Sequence, residues 1–232
     1  MPAGATPDES RDLFGHRYLP ISGLAGDFFE VFPIGPKAVG MFISDVMGHG
    51  VRSAIIVSML RGLAEQAIGS AEDPSSFLGE LNRGLTGILQ KAEVTMFATA
   101  FFVVVDLENN ELRYASAGHP AGIIRTRDGT GVLPLSGRRT GSALGLFQDA
   151  PYQSHRMSLD GVEQLLLFTD GIFEVENREG EAFLQNRLVK VVGEAEGGID
   201  ELLDSVLNRV LAFAHSEQFD DDVCLLGMEV RR

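Results

Sequence analysis

The chain has 232 residues, 44% hydrophobic and 22% charged, the proportions of an ordinary globular protein. Its 33 acidic and 19 basic residues leave a formal charge of −14, which disfavours a nucleic-acid surface or an anionic membrane and allows a basic protein partner or divalent cations. The single cysteine, Cys224, excludes a disulfide scaffold, and neither a signal-peptide core nor a run of roughly 18 apolar residues is present, so the reading is a cytoplasmic protein in a reducing compartment.

Residues 1–12 read as a disordered lead or linker end, and no composition shift divides residues 13–232, which read as one domain. His16–Ile21 is a short strand. Gly23–Phe32 is a second strand, followed by a turn at Pro33-Ile34-Gly35-Pro36. Its hairpin partner is Lys37–Asp45. Apolar spacing then turns helical over Val51–Gly69 and Pro74–Lys91, the latter introduced by Asp73-Pro74 as N-cap and first helical residue. Met96–Asp106 is a long apolar strand, Glu108-Asn109-Asn110 a turn, and Leu112–Ala117 and Ile123–Thr126 are further strands. Gly129–Gly145 reads as a glycine-rich loop region. Tyr152–Leu159 alternates like a half-buried strand, and Gln164–Phe168 is a core strand. Helices over Leu184–Glu194 and Ile199–His215 precede the last strand, Val223–Val230, whose Cys224 reads as a buried structural thiol. Hairpins dominate, so the expected fold class is α+β, an α-β-β-α sandwich of two mainly antiparallel sheets flanked by helix pairs.

Four aspartates share one context. Asp27 follows Gly26, Asp45 ends a core strand, Asp170 ends another, and Asp221 precedes the last. Asp27 and Asp45 fall on neighbouring strands of one hairpin, where a bend or bulge near Gly26 brings both carboxylates to one place. A lone aspartate at a strand end is usually a turn former. Clustered carboxylates repel unless they are protonated or hold a cation, and all-oxygen ligands select Mg²⁺ or Mn²⁺ over Zn²⁺. Two such ions suit hydrolysis of a phosphoester.

The stretches around these residues are Arg17-Tyr18-Leu19-Pro20, Ala25-Gly26-Asp27-Phe28-Phe29, Ile43-Ser44-Asp45-Val46-Met47-Gly48-His49-Gly50, Ala117-Gly118-His119-Pro120, Leu167-Phe168-Thr169-Asp170-Gly171 with Glu174, and Asp221-Asp222-Val223. Together they resemble the bacterial metal-dependent protein phosphatases of the PPM (type 2C-like) superfamily, in the branch of the stage II sporulation and stress-response phosphatases. Each is short, but all occur in the family's order. The resemblance implies two Mn²⁺ or Mg²⁺ ions. Asp45 would bridge them, Asp27 and the Val46 carbonyl would complete the ligands of one, and Asp170 and Asp221 those of the other. Asp27 and Asp45 thus stand as the catalytic candidates, and a metal-activated water would attack phosphoserine or phosphothreonine. The implied substrate is a phosphorylated anti-sigma-factor antagonist in a partner-switching pathway, under control of an upstream regulatory domain or protein.

Two positions depart from the pattern. Ala25 replaces the first glycine of Gly-Gly-Asp, and Glu30 stands where the family has aspartate. Glu174 reads as a supporting residue of the metal site, His49 as a general acid or a helix-start residue, Arg52 as a phosphate contact or a surface cation, and His119 as a loop residue. Two other functions compete with the first: a catalytically weak or inactive module of the same fold that binds a signalling partner, and a hydrolase of a small phosphoester. The complete aspartate set favours catalysis over the binding module.

Overall fold

The computed structural model describes residues 13–21, 23–93, 95–135, 141–216 and 218–231. The lead expected over residues 1–12 lies outside them. In chain order the strands are β1 (Phe14–Leu19), β2 (Asp27–Gly35), β3 (Ala38–Val46), β4 (Ala98–Asp106), β5 (Glu111–Ala117), β6 (Ile123–Thr126), β7 (Gly129–Val132), β8 (His155–Ser158), β9 (Val162–Phe168) and β10 (Val223–Glu229). The helices are α1 (Val51–Ala67), α2 (Pro74–Lys91), α3 (Leu184–Glu194) and α4 (Ile199–Ala214). These elements form two compact units: residues 22–120 with 135–160, and residues 13–21 with 121–134 and 161–231. Each holds one antiparallel five-stranded sheet and two helices, as the α+β reading requires.

In the first unit the strand order is β2-β3-β4-β5-β8. Alternation along these strands sends residues to opposite faces. Phe28 and Phe32 of β2, Phe42 and Val46 of β3, and Ala98, Ala100, Phe102 and Val104 of β4 share one core with Ile56, Leu60 and Ala64 of α1 and Phe77, Leu81 and Leu85 of α2. Phe77 is the hub. Its ring centroid lies 4.2 Å from that of Phe102 and 5.7 Å from those of Phe32 and Phe42. Helix α2 starts as its sequence directs: Asp73 accepts from the Ser75 N–H at 3.0 Å and Pro74 occupies the first turn. Buried Asn82 then ties α2 to a loop, donating to the Phe147 and Gln148 carbonyls and accepting from the Gly145 N–H.

One boundary differs instructively. β2 begins at Asp27 rather than Gly23 and continues through Pro33 to Gly35. Proline cannot donate to a sheet, but β2 is an edge strand and its register shifts between Pro33 and Gly35.

The second unit has the order β1-β10-β9-β6-β7. Leu166 and Phe168 of β9 and Val223 and Leu225 of β10 pack with Leu188 and Val192 of α3 and Leu202 and Val206 of α4. Strand β7 lies within the expected glycine-rich loop and pairs with β6. Gly129 and Gly131 lower its strand propensity, which hid it in the sequence. Arg17 clasps β1 to α4, donating to Asp204 at 2.7 Å and Asp200 at 2.8 Å. No helix among the described residues is long and apolar enough to cross a membrane.

Truncating the hub removes a fully buried ring that four elements share. Phe77→Ala is expected to cost about 3–5 kcal/mol. At about 2–4 °C per kcal/mol, the melting temperature falls by roughly 6–20 °C in a calorimetric scan.

Candidate metal centre

Asp27 and Asp45 are directly opposite each other on β2 and β3. Both carry odd numbers, whereas the residues of β2 and β3 packed on the helices carry even ones. The two carboxylates therefore lie on the face turned away from α1 and α2. Asp27 is 3% exposed, and Asp45 is half-buried. Cβ atoms of such directly opposed residues are about 4.5–5.5 Å apart, close enough for like charges to destabilise the pair. No bulge is needed to bring them together, because the register alone does so.

The chain leading into β2 passes hard against the chain leaving β3. The Val46 N–H donates to the Gly26 carbonyl at 3.1 Å. A Cβ on Gly26 would stand 2.7 Å from the Val46 carbonyl oxygen and 3.0 Å from that of Gly48. Only glycine leaves those oxygens uncrowded. After Val46 the chain turns through Gly48 and Gly50, both at positive φ, into α1. His49 and Arg52 are exposed at that turn.

In the second unit Asp170 opens a 3-10 turn, Asp170–Ile172, directly after β9. Burial raises its carboxyl above the ordinary aspartate range, and the negative charges of Glu174 and Asp221 raise it further. Glu174 is thus close enough to act electrostatically on Asp170. A Cβ on Gly171 would collide with the Asp222 carbonyl, so this turn and the approach to β10 touch through glycine. The adjacent acids divide their tasks. Asp222 is buried and its Oδ1 accepts from the Ile21 N–H at 2.8 Å. Asp221 is exposed, with Oδ1 accepting from the Asp222 N–H at 2.8 Å.

Among the described residues, no group of three or more His, Cys, Asp or Glu side chains is gathered into a metal-holding cluster. The first unit holds the opposed pair Asp27 and Asp45 beside the uncrowded Val46 carbonyl. The second holds Asp170 and Asp221. The donor set fits hard divalent ions: it consists only of carboxylate and carbonyl oxygens, and each pair carries charge that a cation would offset.

The remaining candidates fall elsewhere. Glu30 is on the helix-facing side of β2, 3.7 Å from Arg61 of α1, and so does not share the face of Asp27. Burial lifts its carboxyl above the ordinary range, Arg61 opposing and Glu65 adding to the rise. Cys224 is fully buried, and its N–H donates to Thr169 Oγ1 at 2.9 Å. His119, read as a loop residue, is buried, and Nδ1 lies 2.7 Å from Thr99 Oγ1. Thr99 itself is opposite Asp45 on β4. The sequence reading passed over it, and only the pairing of β3 with β4 marks its place.

Two five-stranded antiparallel sheets with a helix pair each define the PP2C-type phosphatase fold. The likeness is direct to the SiaA-PP2C domain of Pseudomonas aeruginosa, with a TM-score of 0.80 at 22% identity over 94% of this chain and 86% of that one. Residues 35–231 match the family described as Stage II sporulation protein E (SpoIIE), and the chain belongs to that family. It is 28% identical over 215 residues to the phosphoserine phosphatase RsbP of Bacillus subtilis, covering 92% of this chain. The chain spans 51% of that relative's own length. A structure of RsbX in complex with magnesium shares the fold, with a TM-score of 0.63 at 19% identity over 94% of each chain.

The raised Asp170 carboxyl has a stability consequence in the absence of metal. Its native form favours the proton more than the unfolded chain does, so ionising it opposes folding above the ordinary value of about 4. Asp170→Asn is expected to raise the melting temperature in EDTA at pH 8. The gain shrinks as pH falls through the raised native value and vanishes below about pH 4. Thermal melts across pH check this; a purely structural Asp170 would make the substitution destabilising throughout.

Proposed function

We propose that this chain is a metal-dependent protein serine/threonine phosphatase, one domain over residues 13–232, with two Mn²⁺ or Mg²⁺ ions. In this reading Asp45 would serve both ions, Asp27 and the Val46 carbonyl would help hold one, and Asp170 and Asp221 would help hold the other. The observation that carries it is the direct opposition of Asp27 and Asp45 in a chain of the SpoIIE family. Like charges in that place are unfavourable by themselves and useful to a cation. When bound, such ions supply a water nucleophile at neutral pH and neutralise charge on the phosphoryl oxygens.

The chain's own residues do the rest. The sheet fixes Asp27 and Asp45 in register, so the ligands are preorganised before any ion arrives. Gly26 keeps the Val46 carbonyl uncrowded. Asp222, held by the Ile21 N–H, presents Asp221 outward. A covalent route through Cys224 is disfavoured because that thiol is fully buried. The relative RsbP is a phosphoserine phosphatase. By analogy the substrate is a phosphorylated protein of the anti-sigma-factor-antagonist type, in cytoplasmic partner switching under an upstream regulatory domain or protein.

Hydrolysis of p-nitrophenyl phosphate should require Mn²⁺, or Mg²⁺ less effectively, and stop with EDTA. Asp45→Asn is expected to lose more than the roughly 10–100-fold that loss of an outer partner costs a metal site. Asp221→Asn should lose far more activity than Asp222→Asn, whose amide oxygen still accepts from Ile21. A phosphoprotein should outcompete nucleotides as substrate. Turnover that survives full chelation contradicts the proposal, and metal-independent binding of a phosphoprotein without turnover replaces it by a binding module.

A further inference from the structure

Asp27, Asp45 and Thr99 form a row across β2, β3 and β4, each directly opposite the next. The residues of β4 packed on the helices are the even-numbered Ala98, Ala100, Phe102 and Val104. Thr99 therefore shares the face of the two carboxylates, with its Cβ about 4.5–5.5 Å from that of Asp45. Its hydroxyl has a fixed neighbour: Oγ1 lies 2.7 Å from His119 Nδ1.

The imidazole is firmly placed. His119 is 4% exposed. Its backbone N–H donates to Ser116 Oγ at 3.2 Å, and Ser116 Oγ donates to the His119 carbonyl at 3.0 Å. Ser116 is itself fixed opposite Phe101 in the pairing of β5 with β4. A histidine that served only its own turn would need no contact with a hydroxyl 20 residues away on β4.

Resting on the phosphatase reading, we infer that Thr99 and His119 are positioning residues for Asp45. A hydroxyl has one proton and two acceptor lone pairs. With the imidazole proton on Nδ1, His119 donates to Thr99 Oγ1, which leaves the hydroxyl proton available to the Asp45 carboxylate across the strand pair. One oxygen of Asp45, which in the phosphatase reading would serve both ions, is then held in a single orientation. Outer partners of this kind fix the ring or carboxylate that binds the metal, and losing one typically costs about 10–100-fold in affinity or activity.

The test compares the parent with Thr99→Val, Thr99→Ser, His119→Asn and His119→Gln. Three readouts are taken: the melting temperature in EDTA, the Mn²⁺ concentration at the midpoint of thermal stabilisation, and kcat and KM on p-nitrophenyl phosphate. Thr99→Val should raise the Mn²⁺ midpoint and lower kcat by about 10–100-fold, with KM within about twofold and the EDTA melting temperature close to the parent's. Thr99→Ser should restore both. His119→Asn places an amide at the Nδ1 position and should retain more activity and metal affinity than His119→Gln, whose amide reaches the Nε2 position. Should Thr99→Val fail to fold, the Asn and Gln variants decide. An unchanged Mn²⁺ midpoint and kcat in Thr99→Val overturn the inference, as does a Thr99→Ser no better than Thr99→Val. A parent with neither Mn²⁺ stabilisation nor turnover overturns the phosphatase reading itself, whereas an active parent with a silent Thr99→Val overturns the positioning role alone.

Discussion

Asp27 and Asp45 are held face to face by strand register, and that register is set on the other side of the sheet. Phe28 and Phe32 of β2 and Phe42 of β3 pack with Phe77 and Phe102 under the helices of the first unit. A slip of one residue would exchange the two faces of a strand, driving carboxylates into this aromatic core and phenylalanines out of it. The apolar cluster, not any attraction between the acids, therefore keeps the two carboxylates opposed. Burial of several aromatic rings outweighs the few tenths to one kcal/mol that a cross-strand pair contributes in either direction.

The second unit meets a related problem by a different route. Asp170 leaves β9 in a tight turn and is partly withdrawn from water next to Glu174 and Asp221. Burial and the negative charges of Glu174 and Asp221 raise its proton affinity. Asp222, one residue from Asp221, is by contrast spent on a backbone N–H and on the approach to β10. Acids drawn partly out of water beside other acids are a recurrent cost of sites that bind cations. Elsewhere this acidic chain does pair its charges, as Arg17 does with Asp200 and Asp204.

Much of this was legible in the sequence because its cues are local. Asp73-Pro74 announced the start of α2, the apolar run before Asp45 announced β3, and the bounds of α3 followed from helical spacing alone. The hairpin of β2 and β3 was readable, and with it the neighbourhood of Asp27 and Asp45. Their direct opposition was not, since register depends on the turn at Pro36 and on packing under the helices. Pro33 falsely ended β2, because whether a strand is an edge is decided by the whole sheet. Gly129 and Gly131 concealed β7 for a similar reason. Glu30 drew notice as a departure near a metal ligand, yet strand alternation puts it beside Arg61 on the opposite face. Thr99 and its bond to His119 left no local trace, because the two meet only when β3, β4 and the chain beyond β5 are assembled.

In the proposed function the two acidic pairs hold metal. Anomalous diffraction from crystals soaked in Mn²⁺ tests it most directly, since the ion's own signal does not depend on turnover or on the choice of substrate. Two anomalous peaks are expected, one at Asp27 and the Val46 carbonyl and one at Asp170 and Asp221, with Asp45 reaching both. An anomalous map with no peak at these aspartates at saturating Mn²⁺, or with peaks only at other surface carboxylates, would contradict it.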